Sequence, residues 1–141
     1  IGQVVAAKAS IAGAAGGCQA EIGTASAMGA AALCYLGGGD AQAVCHAAAI
    51  AIKSMLGLVC DPVGGLVEYP CQNRNAAGVA NALVAAELSL AGIRQFIPFD
   101  EMLDTMYAVG RRIPLELRET ALGGCAATPA ACAACGLCSG N

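Results

Sequence analysis

The sequence is short of charge. Asp, Glu, Lys and Arg make up 12% of its 141 residues, against roughly 25% in an average soluble protein. So few charges cannot cover a whole surface, and part of it is expected to meet protein rather than water. The competing reading is an alanine-rich bundle that stands alone, since much of the 57% hydrophobic content is alanine. Lys and Arg number only 7 and the net charge is −3, so there is no dense basic footprint for nucleic acid. Aromatics are 4%, which leaves no platform for base stacking.

Period-2 runs of β-branched and aromatic residues are nearly absent, so strands are not expected. No basic segment precedes an apolar one at the N-terminus, so no secretory signal is read and a cytoplasmic location is expected. The chain begins at Ile1 rather than Met, as a processed chain or a piece of a longer protein would. Ile22–Gly39 carries no charge and is long enough to suggest a membrane span. It also holds five glycines, with Thr24 and Ser26, and reads better as a buried helix; no membrane contact is expected.

What is abundant is Ala, Leu and Met, which favours helix. The expected fold class is all-α, a compact helical domain with a long Gly/Pro loop. Helices are expected near Thr24–Leu36, stopped by Gly37-Gly38-Gly39, and near Asp40–Leu56, where Gln42, His46 and Lys53 form a narrow polar stripe. Others are expected near Asn75–Ala91, Asp100–Val109 and Pro114–Ala121, with Asp100 and Asn75 as candidate N-caps. Between the second and third lies Leu58–Cys71, whose two prolines and two glycines rule out continuous helix. Loops of this length often carry function. Residues 1–124 are read as one helical domain and 125–141 as a Cys-rich tail of low complexity.

Nine cysteines is a high and odd count. Without a secretory signal a disulfide framework is not expected, which leaves buried small hydrophobes, metal ligands and redox thiols. Cys18 follows Gly16-Gly17, Cys60 precedes Asp61-Pro62, and Cys71 follows Pro70. Thiols on such turns can face inward while backbone N–H groups stay free to bond their sulfurs, which suits an Fe–S cluster. Their separations match no compact ligand motif, so spacing leaves metal binding and simple burial both open. Cys34 and Cys45 lie among alanines and are expected to pack in the core, and His46 to be structural or solvated. The tail run Cys132-Ala-Ala-Cys135-Gly-Leu-Cys138, with Cys125 upstream, resembles most of a ferredoxin ligand run, and a second metal site or a plain small-residue tail would each account for it.

Three longer segments carry a resemblance. They are Ala9–Gly23 around Gly16-Gly17-Cys18-Gln19-Ala20-Glu21, Leu56–Cys71 with Arg74-Asn75, and Arg118-Glu-Thr-Ala-Leu-Gly-Gly124. In order and spacing they resemble the alpha region of the iron–sulfur L-serine dehydratases, over nearly the whole chain up to Pro129. The resemblance implies an all-helical domain, partial relative to the family, in which Cys18, Cys60 and Cys71 hold a [4Fe–4S] cluster with one open iron. It implies dehydration of L-serine to pyruvate and ammonia without pyridoxal phosphate. The bound iron would act as a Lewis acid on the hydroxyl, and a base would take the α-proton. The base is not identified from the sequence. Arg74 is the candidate for the substrate carboxylate, with Asn75 beside it, unless both serve only the start of their helix. Glu21, Asp61, Glu119 and Thr120 are candidates near the ligands, and Cys138 is a candidate cap for the open iron. Further glycine-rich segments or a beta subunit would complete the site, and an oligomer is expected. Lys8 and Ala12 stand where the family usually has Asn and Ser. Elimination on L-cysteine by the same chemistry and a non-catalytic metal protein are the alternatives.

Overall fold

The structure, a computed structural model, describes residues 1–136. Among them the chain is all-α, with helices α1 (Gly2–Lys8), α2 (Gly13–Gly16), α3 (Cys18–Leu36), α4 (Ala41–Met55), α5 (Cys71–Leu90), α6 (Phe99–Arg112) and α7 (Pro129–Cys135). Short 3-10 turns lie at Val63–Gly65, Leu115–Leu117 and Gly124–Ala127. No helix of the described residues is long and apolar enough to cross a membrane.

The core is built from alanine. Ala27, Ala30, Ala47, Ala48, Ala51 and Ala85 are fully buried where α3, α4 and α5 meet. Side chains this small let helix axes approach closely, and glycine brings them closer still. A Cβ on Gly78 of α5 would lie 2.8 Å from Ile22 Cγ2 of α3, and one on Gly29 would lie 3.2 Å from Ala82 Cβ. Larger side chains fill what alanine leaves: Met102, Leu103 and Met106 of α6 are sealed against this layer. A polar knot pins the centre. Ser26 Oγ donates to the Gly78 carbonyl at 2.9 Å, and Asn81 Nδ2 donates to Ser26 Oγ at 2.8 Å and to the Ala51 carbonyl at 3.0 Å. Each such satisfied bond adds on the order of 1 kcal/mol.

The contacts fix the helix directions. Ile22 meets Gly78, Gly29 meets Ala82 and Gly37 meets Leu90, so α3 and α5 run parallel. Asn81 meets Ala51 and Ser89 meets Ala43, so α4 runs antiparallel to α5. The two parallel helices therefore start at the same end of the bundle, one with Cys18 and the other with Cys71.

Several expectations are corrected. The first expected helix begins at Cys18 rather than Thr24, because Gly17, at φ 77°, reverses the chain immediately before it. Gly23 does not break α3; it sits where Met55 comes close. The helix expected from Asn75 begins at Cys71, so Asn75 lies inside α5 and is not its cap. Asp100 is likewise inside α6 and gives its first turn negative charge instead of capping it. Pro114–Ala121 forms only a 3-10 turn, followed by Glu119 at φ 66° and Ala121 at φ 56°. Helix propensity loses there because the backbone pairs with Cys60 instead: Cys60 N–H donates to the Leu117 carbonyl at 2.9 Å and Glu119 N–H donates to the Cys60 carbonyl at 2.6 Å. Cys45 is exposed, not core, because it lies on the outer side of the first turns of α4, where burial begins only at Ala47; Cys34 is fully buried. His46 is structural: its Nδ1 accepts from the Gln95 N–H at 3.2 Å.

Candidate metal centre

Three segments converge where α3 and α5 begin. Cys18 opens α3, Cys71 opens α5, and Cys60 is fixed between them by its backbone pairing with Leu117 and Glu119. All three thiols are free and buried. The sulfurs of Cys18 and Cys60 and a carboxylate oxygen of Glu21 lie within 4.8 Å of one another. Cys71 is not in that tight group, yet it shares its electrostatic surroundings, with Arg74 and Glu21 acting on Cys71 as they do on Cys18.

Burial pushes the Cys18, Cys60 and Cys71 thiols up from their ordinary value. Cys18 beside it raises Cys60 further, while Arg74 pulls Cys18 and Cys71 back. Glu21 raises all three. Two buried thiols and a carboxylate at a shared point, with a third buried thiol at the same end of the bundle, are a poor place for several negative charges and a good place for a thiophilic cation that neutralises them. Both helix N-termini add partial positive charge on the same side, which favours thiolate over thiol.

Glycine makes the room. A Cβ on Gly13 would stand 2.9 Å from Cys60 Sγ and 3.3 Å from Glu21 Oε2, inside the space between those ligand atoms. The donor set, soft sulfur with one hard oxygen in reach, fits iron–sulfur chemistry.

An ion pair, buried at Asp61 and partly buried at Arg74, braces the site. Asp61 is 2% exposed; its Oδ1 accepts from Arg74 Nη1, and its Oδ2 accepts from the Cys125 N–H at 2.6 Å. Burial alone would raise the Asp61 carboxyl, but Arg74 and the Cys125 amide hold it below the ordinary value. Arg74 Nη1 also donates to the Val59 carbonyl at 3.0 Å. One guanidinium thus ties α5 to the residues on either side of Cys60. Gly124, at φ 60°, allows the Cys125 amide to approach: a Cβ there would lie 2.2 Å from Asp61 Oδ2. Gln19, 1% exposed, does the same job on the other side, donating to the Met106 carbonyl and accepting from the Gly57 N–H, both at 2.9 Å.

The structure thus brings Cys18, Cys60, Cys71, Glu21, Asp61 and Arg74 to one end of the bundle. Glu119 is there through its backbone, and its charge acts on Cys60. Thr120 turns away, its hydroxyl donating to the Leu115 carbonyl at 3.1 Å. Asn75 lies one turn beyond Cys71, on a groove between α3 and α5. Cys138 lies outside the described residues. Sequence reasoning missed Gln19, Gly13 and the Cys125 amide. Gln19 gave a signal, being a polar residue next to Cys18 in an apolar stretch, whereas a backbone amide gives none.

Known proteins match this sequence. Residues 1–126 match the family model described as serine dehydratase alpha chain. The chain is 59% identical over 128 residues to the probable L-serine dehydratase, alpha chain of Bacillus subtilis (strain 168), covering 91% of this chain and 43% of that protein. It is 56% identical over 128 residues to the probable L-serine dehydratase, alpha chain of Latilactobacillus sakei, covering 91% and 61%. It is 56% identical over 126 residues to the L-serine dehydratase, alpha chain of Peptoniphilus asaccharolyticus, covering 89% and 43%. The chain therefore spans between 43% and 61% of the length of these relatives. Because the matched residues take in the starts of α3 and α5, the Cys60 pairing and the Asp61 brace, the chain belongs to the serine dehydratase alpha chain family.

Proposed function

We propose that this chain supplies the thiolate ligands of the [4Fe–4S] cluster of an L-serine dehydratase, converting L-serine to pyruvate and ammonia. The observation that carries the reading is the meeting of Cys18, Cys60 and Glu21 within 4.8 Å, at the end of the bundle where Cys71 also opens its helix. When bound, the cluster supplies a Lewis acid for the substrate hydroxyl, a poor leaving group by itself. Cys18, Cys60 and Cys71 hold it from three segments, so its position is set by the fold rather than by one loop.

The other residues act around that point. Glu21 is the carboxylate in reach of it, placed to hold or move a proton beside the leaving hydroxyl. Arg74 keeps the Cys60 segment in register through Asp61 and Val59, and its positive charge favours a substrate carboxylate nearby. Asn75, one turn on from Cys71, is the second candidate to bind that carboxylate. The Asp61 brace holds the two cysteine-bearing segments together as substrate enters and product leaves. The working enzyme includes further alpha-chain segments and a beta chain, and it acts as an oligomer in the cytoplasm. Residues 1–124 form its cluster-binding part and 125–141 a cysteine-rich tail.

The test is a chimera. This chain replaces the matched stretch of the Bacillus subtilis relative, the cluster is loaded anaerobically, and pyruvate from L-serine is assayed beside sulfide from L-cysteine. Pyruvate formation that is lost with Cys60→Ala is expected. Release of sulfide from L-cysteine with no pyruvate from L-serine would move the assignment to desulfidation, and a loaded but inert chimera would overturn the catalytic reading.

A further inference from the structure

We propose that the outer face of α3, with α5 on one side and α1 on the other, is the docking surface for the part of a serine dehydratase alpha chain that this stretch does not match. The inference rests on the family membership and extends the reading of the thiol site. Two grooves flank an exposed ridge of Ala25 and Met28 on α3. One, of about 430 Å³, runs between α3 and α5 over Ile22, Val79 and Leu83. The other, of about 470 Å³, runs between α1 and α3 over Ile11, Glu21 and Thr24. Ala25 lines both, so they form one surface.

Three observations identify what covers it. First, the surface is apolar far beyond scattered exposure: Val79 is 64% exposed, Ile11 52%, Leu83 51% and Met28 50%, and Glu21 is the one charged residue lining either groove. A contiguous patch of this kind marks a surface that meets protein. Second, Thr24 is 4% exposed, and its hydroxyl is buried without a hydrogen-bond partner. A threonine in a helix commonly bonds back to its own backbone; this one does not, and the residue lines the α1–α3 groove. Third, the surface is continuous with the thiols. Glu21 belongs to both, and Ile22 packs directly against Cys18 and Cys60. The chain covers 43% of the Bacillus subtilis alpha chain and 43% of the Peptoniphilus one, so in those relatives more alpha chain lies outside this stretch than within it. Such a segment, apolar and small where it faces the ridge, would close over Glu21 and exclude water from the thiol site.

Hydroxyl-radical footprinting of the unaltered side chains tests this. Oxidation of Met28 and Leu83 is compared between the isolated 141-residue chain and the Bacillus subtilis chimera, with Phe96, 99% exposed and outside the face, as reference. Met28 and Leu83 should react readily in the isolated chain and about tenfold or more slowly in the chimera, with Phe96 equal in both. Leu83→Asp in the chimera should restore the reactivity of Met28. Equal reactivity in the two proteins would overturn the proposal, as would protection already present in the isolated chain, which would mean that a second copy covers the face. A chimera that cannot fold where its parent does would contradict the complementarity. Cluster content is measured separately, so a protected face on a protein that takes up no iron counts against the proposed function and not against the docking surface.

Discussion

At their first turns, α3 and α5 are held by polar groups brought from distant segments. A few turns further on, the same two helices are held by alanine and glycine against one another. At the thiol end Gln19 reaches Met106 and Gly57, while Arg74 and Asp61 join α5, the Cys60 segment and the Cys125 amide. In the alanine core the contacts are mostly methyl on methyl, with the Ser26–Asn81 knot and the Ser89 bond to the Ala43 carbonyl as polar exceptions. The core loses stability in proportion to the apolar contact removed, because each single contact is worth little by itself. The thiol end does not, because removing one partner strands another buried charge or donor. A fold organised in this way can keep its buried thiols fixed even though its interior is built from the smallest side chains.

Substitutions that separate the two ends should sharpen this contrast. The largest effect is expected from Asp61→Asn, which leaves the Arg74 guanidinium without its partner. Breaking a buried pair from one side costs about 3–5 kcal/mol. Urea melts should show that loss, and iron uptake should fall with it. Leu103→Ala in the core should cost about 2–5 kcal/mol by the same measurement, while the protein that remains folded still takes up iron. Gly78→Ala would press a methyl onto Ile22 and cost about 1–3 kcal/mol. Because Ile22 packs on Cys18 and Cys60, this core change should also lower iron uptake, in contrast to Leu103→Ala. The smallest effect is expected at the far end. Asp40 caps α4 by accepting from the Ala43 N–H at 2.8 Å, and Asp40→Ala should cost about 1 kcal/mol with iron uptake unchanged. If Leu103→Ala and Asp61→Asn reduced iron uptake equally per folded molecule, the distinction between the two ends would collapse.

The same contrast explains what could be read from the sequence. The alanine core was legible, since an Ala- and Leu-rich chain without period-2 runs has little choice but helix. Cys18, Cys60 and Cys71 stood out by their Gly and Pro neighbours and by the longer segments that resemble a known family. The starts of α3 and α5 were not legible, because Gly23 looks like a breaker until Met55 is known to lie beside it, and Asn75 looks like a cap until the helix is seen to begin at Cys71. Pro114–Ala121 carries good helix formers, yet the pairing with Cys60, a partner far away in sequence, decides its conformation. Cys45 looked like core because its neighbours are alanine; only the packing of α4 shows that its side of the first turns faces outward. In each case the missing information was a contact between segments, which local propensity cannot carry.

The central claim is that the thiols at the shared start of α3 and α5 form a cluster site. It is tested most directly by anaerobic reconstitution of the whole chain, beside Cys60→Ala and Cys45→Ala, with iron, inorganic sulfide and visible absorbance measured per folded molecule. The account predicts iron and sulfide in near-equal amounts and a brown colour in the parent and in Cys45→Ala, and neither in Cys60→Ala. A colourless parent protein, or iron and sulfide retained in Cys60→Ala, would contradict it.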